Sequence, residues 1–235
     1  MQKSHHAFLA ARILGLALSV GLFRSSLRAE TTETKTTPIA IGAEFGTAGI
    51  GPAAIFTASE HFTATVGYTW FNYTYNTSSS DTDYNGKLKL SNLQAIANWH
   101  PFAGTFHLSA GFFISDNKVD VTAKAKSGTT YDIGGTTYTA DQVGSVSGNV
   151  KLAKNAVPYI GLGWAKKPLK GGLGFFADIG VVFSSTPQTK LIATGPIASD
   201  TTFQANLQKE ENNINHDLKP LRYYPVVQAG LMYRF

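Results

Sequence analysis

The sequence predicts an all-β protein: an eight-stranded antiparallel transmembrane β-barrel with a short helix in its last extracellular loop. Strand-length segments alternate apolar residues with small or polar ones, as lipid-facing and lumen-facing positions do in a barrel. The connections between these segments are alternately short and long. The composition also favours strands over helices, because only 15% of residues are charged while Gly, Thr, Tyr and Phe are abundant.

The final segment, 223–235, shows the alternation most clearly. One face is apolar and carries two aromatic residues at its end, while the other mixes small, polar and charged residues: Val227, Ala229, Leu231, Tyr233 and Phe235 against Val226, Gln228, Gly230, Met232 and Arg234. The pair Tyr233 and Phe235 resembles the carboxy-terminal signature of bacterial outer-membrane barrels, and this implies recognition by the barrel-assembly machinery. A soluble Greek-key sandwich is the alternative, because its strands also alternate.

The first 29 residues have the pattern of a secretory signal peptide. Lys3 and Arg12 precede an apolar run at 13–23, which is short for a membrane helix, and cleavage is expected after Ala29. An uncleaved anchor helix is the alternative. Removing the four basic residues of this segment leaves 16 basic against 15 acidic residues. The basic character therefore belongs to the signal and does not indicate nucleic-acid binding.

Residues 30–37 form a polar, flexible lead-in, and the barrel is predicted to span 38–235. No other stretch reaches about 18 uninterrupted apolar residues, so no helical span is expected. In the fourth strand the apolar phase slips between Leu90 and Leu93, which predicts a bulge near Ser91 and Asn92. The seventh strand is expected to continue past Pro187. The predicted strands are 39–46, 50–57, 62–75, 84–100, 106–115, 149–164, 173–184 and 223–235.

The connections sort by length as a barrel requires. Those after strands two, four and six are short, at 59–61, 101–105 and 166–172. Those after strands three and five are long, at 76–83 and 122–147, and the second of these holds a predicted hairpin at 131–138. Short periplasmic turns and long outer loops are the rule for outer-membrane barrels. Closure of the sheet also removes unpaired edges, which lipid does not tolerate.

The last outer loop contains the helical candidate, residues 199–218. Ser199 or Asp200 would cap it, and a narrow apolar stripe would pack over the barrel mouth: Phe203, Leu207, Ile214 and Leu218. Its acidic residues are expected either to concentrate cationic solutes at the mouth or to form an ordinary solvated helix face: Glu210, Glu211 and Asp217.

Polar residues on the inward-facing positions are the candidate solute path. Eight strands leave an interior just wide enough for side chains, so a wide pore is excluded. Either these residues form a hydrogen-bonded network that fills the lumen, or they line a narrow path in which Glu44 and Asp178 favour cations. The candidates are Glu44, Gln94, Asn98, His100, His107, Asp178, Gln228 and Arg234.

Five segments together resemble the carbapenem-associated, ornithine-uptake type of small outer-membrane porin, the CarO-like family: 46–51, 108–111, 116–120, 158–163 and 223–227. The resemblance covers nearly all of 38–235. It implies a protein of the bacterial outer membrane that passes small solutes, often basic amino acids such as ornithine, and in some members carbapenems. The expected partners are outer-membrane lipid, lipopolysaccharide, the barrel-assembly machinery and small solutes. No motif of the family assigns the substrate to particular residues.

Two further hypotheses remain open. His107-Leu108-Ser109 is similar to the His-x-Ser of lipid A deacylase barrels, in which a carboxylate completes the set. The alternation places this pair inside the barrel near its periplasmic end, which argues against such an enzyme. A non-conducting structural or adhesive barrel is the other hypothesis. The sequence has no Cys and shows no metal, phosphate-loop or nucleic-acid motif, so no cofactor or nucleic acid is expected.

Overall fold

A computed structural model describes residues 38–79, 81–166 and 171–235, with the side chains of 153 and 154 outside that description. The predicted signal peptide at 1–29 and lead-in at 30–37 lie outside the described residues. The elements are β1 Ile39–Gly46, β2 Gly49–Thr57, β3 Phe62–Ser78, β4 Thr82–Trp99, β5 Phe106–Ala125, β6 Thr130–Ile133, β7 Thr136–Thr139, α1 Ala140–Val143, β8 Ser145–Lys166, β9 Gly172–Phe183, β10 Gln188–Ala193, α2 Thr201–Asp217, a 3₁₀ helix at Lys219–Arg222 and β11 Tyr223–Arg234.

Eight of the strands pair edge to edge in a closed antiparallel ring. The order around it is β1, β2, β3, β4, β5, β8, β9 and β11, and β11 returns to β1. The hairpin β6–β7 forms a separate small sheet, and β10 adds to β8 beyond the end of β9. We call the end that holds the short turns between β2 and β3 and between β4 and β5 the turn end, and the end near β6, β7, α1 and α2 the loop end.

The ring is apolar outside and largely polar inside. Along β3, Phe62, Val66 and Trp70 are exposed on the outer face, while Thr63 and Thr69 are buried on the inner face. The same alternation holds in β1, β2, β5, β8, β9 and β11, so the predicted faces of these strands are confirmed. A soluble sandwich would instead bury its apolar face against a second sheet, so the Greek-key alternative is wrong.

The bulge predicted near Ser91 and Asn92 is wrong. Leu90 is only 8% exposed and lies on the inner face with Asn92, so the alternation of β4 continues without a slip. The register of β4 with β3 is unbroken through this stretch. A register shift does occur between β5 and β8, beside Asn117 and Lys118. The prediction assigned Leu90 to the outer face because it is apolar. Near the loop end, however, the inner face also carries apolar residues.

Several strands run further towards the loop end than predicted. β3 and β4 pair through most of the expected loop at 76–83, down to Ser78 against Asp83. β5 and β8 likewise take up both ends of the expected connection 122–147, and the hairpin inside it is present as β6 and β7. Cross-strand pairing outweighs the turn preference of the Asn, Thr and Ser residues there, because strand propensity depends strongly on context.

The predicted continuation past Pro187 is present as β10, which pairs with β8 from Gln188 onwards after a break at 184–187. β9 meets the same edge of β8 nearer the turn end, where Val182 lies opposite Tyr159. β9 and β10 therefore pair with successive parts of β8, with β9 nearer the turn end.

The loop-end elements share a hydrophobic cluster of their own, which we call the outer cluster: Ile133, Val143, Ala193, Phe203 and Leu207. The Asp200 carboxylate caps α2 by accepting a 2.8 Å hydrogen bond from the backbone N–H of Phe203. Ile214 and Leu218, the rest of the predicted stripe, are only half-buried. α2 has 17 residues, and none of the helices in the described part of the chain has the length and apolar character needed to cross a membrane.

Tyr131 ties the β6–β7 hairpin to the strands beneath it. Its hydroxyl accepts from the backbone N–H of Ala125, and its one proton is shared between the carbonyls of Ala123 and Gly144, at 3.2 and 3.0 Å. Burial raises the pKa of the Tyr131 hydroxyl, which keeps it protonated and able to donate.

Substituting Phe203→Ala is expected to destabilise the outer cluster by about 3–5 kcal/mol, the usual cost of removing a buried aromatic side chain. The Phe203 ring is 1% exposed and packs edge-on against Tyr138 at 5.0 Å. Hydrogen exchange should accelerate in β6, β7 and α2 and stay unchanged in the ring. Gln208→Ala, on the exposed side of α2, is the matched control and should change neither. Faster exchange throughout the ring would contradict an independent outer cluster.

Candidate functional site

The interior of the ring carries a buried carboxyl group, that of Glu44 on β1. Gln94 on β4 donates from one nitrogen, Nε2, to both carboxyl oxygens, at 2.6 and 2.7 Å. Gln228 on β11 donates in turn to Gln94 Oε1 at 3.1 Å. Glu44 and Gln94 are each 1% exposed. In the described part of the chain, no Lys, Arg or His forms an ion pair with Glu44.

A glycine on β3 makes room for this group. A Cβ atom at Gly67 would overlap Glu44 Oε1 and lie 2.8 Å from Gln94 Nε2. The strand at this point therefore carries no side chain, and the Glu44 carboxyl occupies the space.

The second polar group lies nearer the turn end and pairs a histidine with a carboxylate. His107 Nε2 on β5 is 2.6 Å from Asp178 Oδ1 on β9. His107 is 2% exposed, and its ring centroid lies 5.0 Å from that of His100. Gly163 on β8 lies between the pair, because a Cβ there would overlap Asp178 Oδ1. The Asp178 carboxylate lies largely away from water, so this short hydrogen bond compensates part of the cost of its burial.

Hydroxyl and amide groups complete this part of the interior. The Asn98 amide donates to Thr63 and Thr65 at 3.3 and 3.2 Å, and its oxygen accepts from Ser109 at 2.9 Å. His100 Nε2 is 3.2 Å from Thr63 Oγ1, and its other ring nitrogen is 3.1 Å from the Gly104 carbonyl. At the turn end, the Arg234 guanidinium donates to the Thr57 hydroxyl.

Beside the polar groups lies an apolar cluster that we call the inner plug: Ala48, Ile96, Phe113, Val157, Tyr159, Val182 and Val226. Phe113 and Tyr159 are its largest members, with ring centroids 5.4 Å apart. The plug adjoins the Glu44 group directly, because Phe113 and Gln94 are register partners on β5 and β4. A smaller apolar cluster occupies the turn end: Ala40, Ile55, Phe176 and Met232.

A small cavity lies on the loop-end side of the inner plug. Its volume is about 30 Å³, room for roughly one water molecule. Phe113 and Val226 form part of its wall, and Leu221 and Tyr224 lie on its loop-end side. Asn92 accepts hydrogen bonds there from Ser115 and Asn117, at 2.7 and 3.0 Å, and donates to the Ala48 carbonyl at 2.8 Å.

The low solvent exposure of these interior side chains shows whether the lumen is open to water in this conformation. A water-filled lumen would leave its lining accessible to water, yet Phe113 and Tyr159 are each 1% exposed and His100 is 0% exposed. In the described part of the chain, the interior is therefore filled by side chains at these levels, as an eight-stranded ring permits.

All eight predicted path residues point into the ring. The structure joins Glu44, Gln94 and Gln228 in one group and His107 with Asp178 in another, while Asn98 and His100 meet at Thr63 and Arg234 binds Thr57. Their role in solute passage stays a prediction. Four further residues are buried inside the ring and were not predicted as site residues: Asn92, Phe113, Asn117 and Tyr159. Period-two alternation indicates that Phe113 and Tyr159 point inwards. The orientation of Asn92 could not be read in the same way, because a bulge was predicted at that position.

Two of the three predicted mouth carboxylates hold α2 in place. Glu210 accepts from the backbone N–H of Gly134 at 3.1 Å, and Glu211 accepts from that of Leu191 at 2.7 Å. Asp217, at the end of α2, is exposed. The acidic helix is thus anchored to the β6–β7 hairpin and to β10 by its own charges.

His107 and Ser109 both lie inside the ring, and no hydrogen bond joins them in the described part of the chain. The Ser109 hydroxyl instead donates to Asn98, so His107 is not placed to take its proton. In the described residues, no group of three or more His, Cys, Asp or Glu is arranged to hold a metal ion.

Comparison with solved structures confirms the resemblance to CarO at the level of the fold. Crystal structures of CarO and CarO2 from Acinetobacter baumannii superpose with TM-scores of 0.59 and 0.60. The first is 21% identical in sequence and matches 85% of this chain and 98% of its own. The second is 24% identical and matches 86% of this chain and 100% of its own. No family model matches the chain, and no curated protein matches it in sequence.

The substitution Gly67→Ala is expected to destabilise the ring by about 1–3 kcal/mol, the usual cost of adding a methyl group to a filled interior. The new Cβ would displace the Glu44 and Gln94 side chains. Urea unfolding of the refolded protein in lipid vesicles measures the change. Gly86→Ala on β4 is the matched control, since its Cβ would meet nothing closer than 3.7 Å. Equal unfolding midpoints for the two variants would show that the Glu44 group is loosely packed.

Proposed function

We propose that this protein is a porin-like β-barrel of the bacterial outer membrane that passes small cationic solutes slowly. The closed ring and its exposed apolar outer face support the membrane location, because hydrocarbon requires every backbone amide to be paired. The CarO-like fold supports the same class of protein. The loop end would face outwards and the turn end the periplasm.

Aromatic side chains on the outer face form two belts, as the proposal requires. The turn-end belt is Phe62, Trp99, Phe106, Trp164, Tyr233 and Phe235, and the loop-end belt is Tyr68, Trp70, Phe183 and Tyr223. At about 3.3 Å per residue, the stretch from Phe62 to Trp70 is about 26 Å long. A strand tilt of about 40° reduces this to roughly 20 Å of membrane depth, close to the apolar band of known barrels.

The observation that carries the solute preference is the buried Glu44 carboxyl. A carboxylate offers about four lone-pair sites, whereas Glu44 receives hydrogen bonds from a single amide nitrogen. A buried carboxylate without a cation is costly, and an arriving ammonium group would remove that cost. Basic amino acids such as ornithine carry such a group on a narrow side chain. Glu44 is therefore proposed as the cation-binding residue of the path.

Passage requires the inner plug to move. Phe113 and Tyr159 close the lumen between the small cavity on the loop-end side and the Glu44 group. Rotation of these two rings would open a narrow route past Glu44 towards Asp178. A route that opens only by side-chain rearrangement would explain slow transport of small solutes and rejection of large ones.

A non-conducting barrel with a role in envelope integrity or contact is the second candidate. The near-zero exposure of the interior side chains favours it. Swelling of liposomes that contain the protein separates the two candidates, with ornithine, glycine and a neutral sugar as test solutes. Swelling with ornithine supports the porin, whereas no swelling with any solute rejects it.

Glu44→Gln is expected to lower the flux of ornithine relative to glycine on the order of tenfold, the equivalent of one charge-assisted hydrogen bond. The amide keeps the size of the side chain and removes its negative charge. Glu60→Gln, in the exposed turn after β2, is the matched control and should leave the ratio unchanged. An unchanged ratio in Glu44→Gln would assign the preference to another residue.

Phe113→Ala is expected to raise the flux of all three solutes, because it removes one of the two large rings of the inner plug. Single-channel recording should show longer or larger openings. Phe112→Ala is a close control, because the neighbouring ring is 58% exposed on the outer face and lies outside the lumen. Equal conductance in both variants and the wild type would place the constriction elsewhere.

A further inference from the structure

We propose that Lys89, Lys118 and Lys151 bind the phosphate groups of lipopolysaccharide on one side of the barrel. This inference rests on the proposed outer-membrane location, and it adds a specific lipid site to it. The three residues lie on β4, β5 and β8, three neighbouring strands of the wall.

The strand register brings the three lysines into one row. Lys89 is the register partner of Lys118 between β4 and β5, and Lys118 is the register partner of Lys151 between β5 and β8. Directly opposed residues share a face and have Cβ atoms about 4.5–5.5 Å apart, so like charges there repel. Three adjacent ammonium groups therefore favour an anionic ligand that binds more than one of them.

Nearby carboxylates leave the row with a positive charge. Asp116 lies beside it, and its Oδ2 is 3.5 Å from Lys118 Nζ. Asp120 lies one pair further towards the loop end, opposite Lys87, and accepts a 2.5 Å hydrogen bond from Asn149. The exposed ion pair of Asp116 contributes little stability, and Asp120 is bonded to Asn149, so the lysines stay available to a stronger anion.

The position of the row relative to the loop-end aromatic belt points to lipid headgroups. Trp70 is the register partner of Ser91, and the next outward-facing pair along the same strands is Asn72 and Lys89. Trp and Tyr rings sit at headgroup level in membrane proteins. The lysine row thus lies one step outside the apolar band, at the depth of lipid phosphates.

A groove joins the belt to Lys89 and Lys118, two of the three lysines of the row. It is an open depression of about 450 Å³, lined by Tyr68, Trp70, Asn72, Lys89, Leu90, Ser91, Asp116 and Lys118. The Tyr68 and Trp70 rings are stacked at 5.7 Å, and the Tyr68 hydroxyl is 3.0 Å from the Ser91 hydroxyl. Two aromatic rings and two lysines therefore line the groove, together with the Asp116 carboxylate. A phosphorylated glucosamine with attached acyl chains fits both, because the sugar and chains contact the rings while the phosphates meet the lysines.

The full chain, refolded in neutral detergent, provides the test. Bisphosphorylated lipid A, lipid A without phosphates, phosphatidylglycerol and inorganic phosphate are titrated against the wild type and the combined variant Lys89→Gln, Lys118→Gln, Lys151→Gln. Bisphosphorylated lipid A should bind the variant about tenfold more weakly than the wild type, as expected for the loss of several exposed charge pairs. The difference should vanish without the lipid phosphates and shrink in 1 M salt, where the Debye length is about 3 Å.

Two matched variants make the outcome specific. Lys166→Gln, Lys209→Gln and Lys219→Gln remove the same charge from exposed sites elsewhere and should bind lipid A like the wild type. The combined variant Lys89→Arg, Lys118→Arg, Lys151→Arg should keep the wild-type affinity, because guanidinium groups pair well with phosphate. Equal affinity of the wild type and the Gln variant for bisphosphorylated lipid A would overturn the site. Saturable binding of inorganic phosphate alone would show an anion site that does not recognise lipid, and would overturn it as well.

Folding and membrane insertion are measured separately on every variant, from the heat-dependent gel mobility and from insertion into vesicles. If the wild type fails to insert, the outer-membrane proposal fails. If it inserts and the lysines make no difference, only the lipid site fails. If the triple variant does not fold, Lys118→Gln alone is used, because Lys118 is the centre of the row and the register partner of both neighbours.

Discussion

The pairing of β9 with both β8 and β11 closes the sheet, and the other features of the structure depend on it. β9 runs beside β11 along its whole length and meets β8 over the turn-end half of the ring. An open sheet would leave two rows of unpaired amides and expose the inner polar face along one side. Closure gives the backbone amides of the edge strands hydrogen-bond partners. It also directs one face of each strand outwards and the other into the lumen.

The interior is filled because small and large side chains alternate across it. Tyr159 occupies the space above two glycines, since a Cβ at Gly161 or Gly180 would overlap its ring. Gly67 and Gly163 make room in the same way for Glu44 and Asp178. These glycines let the largest and the most polar side chains of the lumen lie in a ring of only eight strands. The Glu44 group and the inner plug meet the same packing requirement, and they adjoin at the register partners Gln94 and Phe113.

The outer wall is not uniform around its circumference. At the loop end, β3, β4, β5 and β8 extend well beyond the short hairpin of β1 and β2, and the lysine row lies on this taller side. Near the join of β9 and β11, Arg222 instead lies over the ring of Tyr223 at 4.6 Å. The taller side also carries β10, and through it α2, so the charged surface and the outer cluster are supported by the same strands.

Alternation along each strand was sufficient to assign Glu44, Asp178 and Gln228 to the interior and Tyr233 and Phe235 to the exterior, because the direction of a side chain in a strand depends only on its parity. The eight ring strands and the inward orientation of the candidate residues could be predicted in this way, and the α2 helix from its capping residue and apolar stripe. The sequence did not reveal which residues of different strands meet. The bond between Gln94 and Glu44, the pairing of His107 with Asp178, the inward position of Leu90 and the lysine row all depend on register between segments far apart in the chain. That register is set by the pairing of whole strands and the closure of the ring, which no local pattern encodes.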